Sequence, residues 1–312
     1  MFLVAVAVES FLWRLFLSKG APMIVARVGF VVSLLVILLA PSVVLAAEPT
    51  TEPVTVILGA QTREIAALRE QLAERKEQRI LGLPFWEGRL AGRRVVVAKM
   101  SAGKVNAAMV ATLAIEHFHP SEIIVTGIAG GLNPDLSPGD LVIAAKTVQH
   151  DMLRHHESGV EHRGARHPVT GRRNPVFLET PARLVEIAQR AARKTDFTPI
   201  AHEGDGRTSP HVVRVIAGIV ATGDAFVESS DKRRELRELL QADAVEMEGA
   251  AVAQIGYQLN VPCLVIRCLS DLADQAAMAD LESFADVAAV NSARLVYGIV
   301  GLLAESDRSA KH

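Results

Sequence analysis

The chain has 312 residues, half of them hydrophobic, and a charged share of 22% that is ordinary for a globular enzyme. Its net charge is −2, and because residues 1–46 carry Arg14, Lys19 and Arg27 against Glu9, the remainder stands at −4. No basic face is implied, which argues against nucleic acid as the main partner. The two cysteines, Cys263 and Cys268, form no CxxC pair of the kind a cysteine zinc site needs.

The N-terminus reads as an export signal. After Arg27 come VGFVVSLLVILLA, Pro41-Ser42 and VVLAAEPTTEP: a basic flank, an apolar core, the small-residue pattern Val44-Leu45-Ala46 and a polar linker. Residues 1–46 are therefore expected to direct the protein to the periplasm or outside the cell, with no membrane attachment once cleaved. Residues 47–53 follow as a linker. The competing reading is an uncleaved anchor, because Val28 to Ala47 approaches the roughly 20 residues that span a bilayer. No cysteine lies nearby to carry a lipid.

From Thr55 onward strand-like and helix-like segments alternate. Val54 to Leu58 is a short β-rich run, and Glu64 to Glu74 is helical with Ile65, Leu68 and Leu72 on one face. Phe85 to Leu90 and Arg94 to Lys99 flank Ala91-Gly92, a hairpin signal. Lys104 to His117 reads as helix, Glu122 to Thr126 as a buried strand running into TGIAGG, and Asp140 to Val148 as another strand. His150 to Arg173 is a polar excursion rich in His and Arg, whose histidines lack helix-type metal-ligand spacing. Further helices are expected at about Pro181 to Lys194 and Asp231 to Leu240, with a strand at Val213 to Thr222 between them. A helix from Glu248 to Leu259, a strand from Cys263 to Leu269 and a last helix from about Leu281 to Leu303 complete the order. An offset of five along that strand puts the two thiols on opposite faces, which argues against a disulfide. The alternation indicates a single α/β domain, residues 54–304, with a central mixed, mostly parallel sheet flanked by helices and a short tail over 305–312.

Sheets of this class gather ligands at the carboxyl ends of their strands. Those ends carry Gly59-Ala60 then Glu64, Ser101-Ala102-Gly103-Lys104, Gly127-Ile128-Ala129-Gly130-Gly131, and Thr222-Gly223-Asp224-Ala225-Phe226. They also carry Val245-Glu246-Met247-Glu248, and Arg267 followed by Ser270-Asp271. Taken singly, each acid has a plain structural reading. Glu64 suits a helix's first turn, Glu246 and Glu248 suit a helix start, and Asp271 suits a turn or cap. Phe226 alone suits a core. Three acids at strand ends together are harder to explain that way.

In combination GAQTRE, SAGKVNAA, TGIAGGL, ATGDAFV, AVEMEGAAVA and CLSDLAD resemble the 5′-methylthioadenosine/S-adenosylhomocysteine nucleosidase family of the nucleoside phosphorylase superfamily, in order, from about Val54 to Val300. The resemblance implies a nucleoside phosphorylase-like fold and hydrolysis of the N-ribosidic bond of an adenine nucleoside. It assigns Glu64 to activating water, Asp271 to protonating the purine, and Ser270 to orienting that acid. Glu248 is assigned to the ribose hydroxyls, with Glu246 and Met247 on the same wall. Phe226 is assigned to stacking on adenine, the Val227 backbone to its edge, and Arg267 to a place near the water and Glu64. Ala102 would face the 5′ group, where relatives often carry a larger aliphatic residue. Ile128 replaces a serine of some relatives, and Leu281 an aromatic residue. Neither a metal nor an organic cofactor is implied. A homodimer is, with the neighbour closing the 5′ pocket.

The chemistry needs these residue types. Cleavage builds positive charge on the sugar and negative charge on the leaving base, so one carboxylate must activate water and one acid must protonate the base. Their environments should push the two pKa values apart: Asp271, after a buried apolar strand, is expected to favour its protonated form, and Arg267 to help keep Glu64 ionised. A phosphate-dependent phosphorylase and a noncatalytic nucleoside-binding or storage protein are the alternatives at this point.

Overall fold

The computed structural model describes residues 52–200 and 211–309. The expected export segment and most of the linker lie outside these residues.

Strands β1 (Val54–Gly59), β5 (Glu122–Gly131) and β12 (Cys263–Asp271) form the centre of a 10-stranded mixed sheet, and nearly every residue in them is buried. Both faces of such strands are covered, which is why they read as continuous apolar runs without alternation. Parallel pairings join β4 (Arg93–Lys99), β1, β5 and β12 in that order. Helices α2 (Lys104–Phe118) and α5 (Gly249–Leu259) cover one face with Val56, Val96, Ile123 and Val265 beneath them. The other face carries Ile57, Val95, Ile124 and Ile266 under α1 (Thr62–Glu70), α3 (Ala182–Ala192) and α6 (Ala277–Ser309). Cys263 belongs to the first core and Cys268 to the second, both as free thiols on opposite faces of β12.

Beyond β12 the sheet curls. Strand β6 (Leu141–Gln149) runs antiparallel to β12, β10 (Val215–Thr222) runs parallel to β6, and β11 (Ala244–Glu246) runs parallel to β10. Strand β11 also pairs antiparallel with β5 through Ala244–Gly131 and Val245–Gly130, so these five strands close on themselves. That closure brings β11 against the carboxyl end of β5, and Glu246 at the end of β11 reaches Arg267 of β12, which positions the site.

Helix α1 is shorter than its apolar spacing suggests. It stops at Glu70, and Ala73–Ile80 is an exposed edge strand, β2, paired with β3 (Leu83–Leu90). The sequence AERKEQRI shows no buried face because none exists, and pairing to β3 across Leu81-Gly82 makes the strand. Both turn residues have positive φ, 51° and 83°, as do Ala91 and Gly92 (48° and 84°) in the β3–β4 turn. Such two-residue turns match the strand twist. Within the excursion after β6, β7 (Leu153–His156) and β8 (Gly159–His162) form an exposed hairpin, and β9 (Phe177–Glu179) returns to pair with β6. Helix α4 (Ser230–Leu240) packs over β10 and is capped by Ser229, whose hydroxyl accepts the Lys232 amide at 3.3 Å. Helix α6 begins four residues before Leu281 and continues past Ala304 to Ser309.

Candidate active site

Glu64 stands in the first turn of α1, where a carboxylate answers unpaired amides. Its Oε2 accepts the Gln61 amide at 2.7 Å and its Oε1 the Ile128 amide of β5 at 3.1 Å. The side chain thus bridges α1 and β5 and is buried. Gly127, just before, has no room for a side chain: a Cβ there would collide with Glu64 Oε1 and Arg267 Nη1. These two charged groups therefore meet over bare backbone.

Arg267 projects from the middle of β12 and is fully buried. Its Nη2 donates to Glu246 Oε2 and lies 3.4 Å from Glu248 Oε2, whereas Nη1 and Nε have no protein partner. Burial raises the Glu64 pKa above the usual carboxylate range, and the Arg267 guanidinium opposes that rise in the expected direction without cancelling it. The hydrogen-bonded partners of Arg267 are Glu246 and Glu248.

Glu246, expected on the same wall as Glu248, has a carboxylate that accepts from Arg267, the Thr222 hydroxyl, the Glu248 amide at 3.0 Å and the Gly249 amide at 2.8 Å. Every acceptor direction is committed to the protein, so Glu246 holds Arg267 and the start of α5 in place. Thr222 in turn accepts the Ala250 amide at 2.8 Å.

Glu248 is the N-cap residue of α5, and its Oε1 accepts the Gly103 amide at 2.9 Å. Burial, then the nearby Glu246, push its pKa up to about 7 against the pull of Arg267. A carboxyl whose folded pKa lies above its unfolded value binds an extra proton in the native state between those pH values. Stability from this group is therefore lost as pH rises from about 4.5 to about 7. Glu248→Gln is expected to melt higher than the wild type at pH 8 and close to it at pH 5. Equal shifts at both pH values, followed by calorimetry, would contradict the assignment.

Asp271 ends β12. Its Oδ1 accepts the Ala273 amide at 2.8 Å and its Oδ2 the Ser270 hydroxyl at 2.8 Å. Burial raises its pKa, with those two hydrogen bonds opposing it. The protonated bias expected from the sequence is present, although Glu64 and Glu248 shift upward too. A Cβ on Gly130 would stand 2.9 Å from Asp271 Oδ1, so this acid also lies against β5.

Strand β5 is thus a shared spine, meeting Glu64 at Ile128 and Asp271 at Gly130. Two residues at roughly 3.3 Å each separate these anchor points by about 7 Å. Next to the Asp271 turn lies the segment after β10: Ser229 donates to the Ala273 carbonyl at 3.3 Å, and Val227 packs in one cluster with Ala273 and Val245. Phe226 is 43% exposed, so its ring is available on the rim rather than in a core. Met247 is half-buried, and Ala102 is exposed beside Gly103. Among the described residues no hydrogen bond joins the side chain of Met247 or Phe226 to the carboxylates.

Two contributors escape sequence reasoning. The Gly103 amide holds Glu248; the sequence marks this glycine only as part of a strand-end motif, and its φ of +94° suits glycine. Ser292 of α6 donates or accepts at Thr126 Oγ1 (2.8 Å) and receives the Gly127 amide at 3.2 Å, fixing the backbone under Glu64 and Arg267. Its signal is a polar Asn291-Ser292 pair inside an apolar helix. Among the described residues no group of three or more His, Cys, Asp or Glu is placed to hold a metal. A cavity of about 560 Å³ between residues 167–174 and the C-terminal turn of α5 contains none of these acids.

A sheet that closes on itself and gathers buried acids around one arginine belongs to a definable class. The Phosphorylase superfamily model matches residues 53–301. A curated 5′-methylthioadenosine/S-adenosylhomocysteine nucleosidase of Anoxybacillus flavithermus is 38% identical over 249 residues, 79% of this chain and 97% of that one. The solved nucleosidase of the same name from Neisseria meningitidis, in complex with methylthio-immucillin-A, is 35% identical with a TM-score of 0.66. That match covers 80% of this chain and 98% of that one. Futalosine hydrolase of Helicobacter pylori is 29% identical with a TM-score of 0.64, over 80% of this chain and 97% of its own. The chain belongs to the 5′-methylthioadenosine/S-adenosylhomocysteine nucleosidase family.

Proposed function

We propose that this enzyme hydrolyses the N-ribosidic bond of 5′-substituted adenine nucleosides such as 5′-methylthioadenosine or S-adenosylhomocysteine, releasing adenine. The observation that carries the reading is the pair of buried carboxyls, Glu64 and Asp271, anchored two residues apart on β5.

Glu64, its pKa raised by burial, is a stronger base in its ionised form than an exposed carboxylate. It takes a proton from water, and that water's oxygen bonds to the anomeric carbon. The C–N bond breaks as Asp271 gives its proton to the purine. Glu248, held by Gly103 and Arg267, accepts the ribose hydroxyls, and Phe226 stacks on the adenine beside Asp271. Phosphate as the attacking group finds a poor site here. Phosphate calls for several converging cationic donors, whereas Arg267 stands among the carboxylates of Glu64, Glu246 and Glu248, which oppose a further anion.

Adenine release from a panel of 5′-substituted adenosines in phosphate-free buffer tests this directly. Free 5-substituted ribose is the expected co-product. A phosphate requirement, a ribose 1-phosphate product or absence of turnover would each contradict it. The panel also reads the 5′ substituent, since nucleosidases and a futalosine hydrolase share this fold. We further propose a homodimer exported through residues 1–46, which the mass in solution and the N-terminal residue recovered from the host will check.

A further inference from the structure

Lys104 and Asp224, in two of the sequence's strand-end motifs, and Asp151 take no part in the chemistry above, yet they join its two halves. The first turn of α2 offers two successive amides to two different strand ends. Gly103 N–H goes to Glu248 Oε1 at 2.9 Å, and Lys104 N–H to Asp224 Oδ1 at 2.8 Å. Asp151, just beyond β6, completes the circuit. Its Oδ1 accepts the Lys104 ammonium at 2.6 Å, and its Oδ2 accepts the Asp224 amide at 2.9 Å. Lys104 Nζ also reaches Gln149 Oε1 at 3.3 Å.

We propose that Asp151, Lys104 and Asp224 are positioning residues that lock the base-stacking segment, Gly223–Val227, to the carboxylate that holds the ribose, so that base and sugar are gripped in one fixed relation. This rests on the adenine-nucleoside reading of the site.

The geometry is over-determined. Asp224 is bonded through both its amide and its carboxylate, and Lys104 through both its amide and its ammonium. The segment also sits on a fitted support. His150 is buried, and a Cβ on Gly223 would collide with its imidazole. Gly223 in turn donates its amide to the Glu246 carbonyl at 3.1 Å. Lys104 is 16% exposed and Asp151 31%, so water only partly screens their pair. Burial pushes the Asp151 carboxyl up, but the Lys104 ammonium and the Asp224 amide outweigh it and keep it ionised. A bond to C1′ breaks efficiently only when the leaving base faces Asp271 while the ribose stays on Glu248. A misplacement near 1 Å can cost about 10²-fold.

Asp151→Asn and Lys104→Met should each lower kcat/KM for adenine nucleosides by about 10–100-fold and weaken the binding of free adenine. Lys104→Arg should recover most of the loss. In a Phe226→Ala background, Asp151→Asn should have an effect of about twofold or less, because the stacking it supports is already gone. Hydrogen exchange gives a readout that needs no substrate. Amides at 223–227 should exchange faster in both variants while those of β5 and β12 keep their protection. Unchanged exchange in that segment, or an equal kinetic loss with and without Phe226, would overturn the proposal. A wild type that releases no adenine would overturn the reading of the reaction instead, and exchange would still judge the clamp.

Discussion

Asp271→Asn is expected to lose about 10²–10⁴-fold in kcat on 5′-methylthioadenosine, the range of a positioned general acid. The substitution keeps the side chain's size, and Asn can still accept the Ala273 amide that Oδ1 accepts now. It removes the transferable proton and reverses the Ser270 hydrogen bond, because an NH₂ at the Oδ2 position donates where the carboxylate accepts now. Adenine leaves poorly as an anion, so the missing proton falls on the bond-breaking step. A nitrophenyl riboside, if the wild type accepts one, leaves without protonation and should retain its rate within about tenfold of the wild type. Folding should not suffer, because burial already disfavours charge at this position and the amide is neutral. Comparable losses on the two substrates, measured with normal melting temperatures, would mean that Asp271 acts through structure or sugar binding.

What could be read from the sequence, and what could not, follows from which interactions are local. Strands β1, β5 and β12 announce themselves because both faces are covered, leaving unbroken apolar runs. The β3–β4 hairpin is visible through Ala91-Gly92. Strand β2 is not, since its exposed charged residues resemble a solvated helix and its pairing with β3 is a property of the partner. The closure of β11 on β5 depends on two pairings more than a hundred residues apart, which no local pattern encodes.

At the site, Glu64, Glu248 and Asp271 are legible as acids beyond strand ends. Their surroundings are not. Glu246 looks like a twin of Glu248, and only the fold shows that Arg267, Thr222 and two amides occupy it. Arg267 favours the charge on Glu64 as its sequence position suggests, but the depth of Glu64, which outweighs that pull, is not legible. Burial decides both cases, and burial is a tertiary quantity.

Glu64→Gln is the second large effect, a loss of about 10²-fold or more in kcat with the affinity for adenine retained within a few-fold. The base in this mechanism must take a proton from water, and an amide cannot. Adenine binding should survive because the base lies toward Asp271 and Phe226, anchored at Gly130, whereas Glu64 meets β5 at Ile128. The substitution also has a structural consequence that can be separated from the chemical one. Both carboxylate oxygens accept backbone amides, from Gln61 and Ile128, so the Gln side chain must turn its NH₂ toward one of two N–H donors. One hydrogen bond is lost, a destabilisation of about 1–3 kcal/mol, offset in part because the buried carboxyl no longer resists ionisation. Melting curves and adenine calorimetry therefore belong beside the kinetics. Slow turnover with adenine still bound identifies the base. Near-normal turnover removes Glu64 from the mechanism, and a joint collapse of stability and adenine binding would make it a strut between α1 and β5.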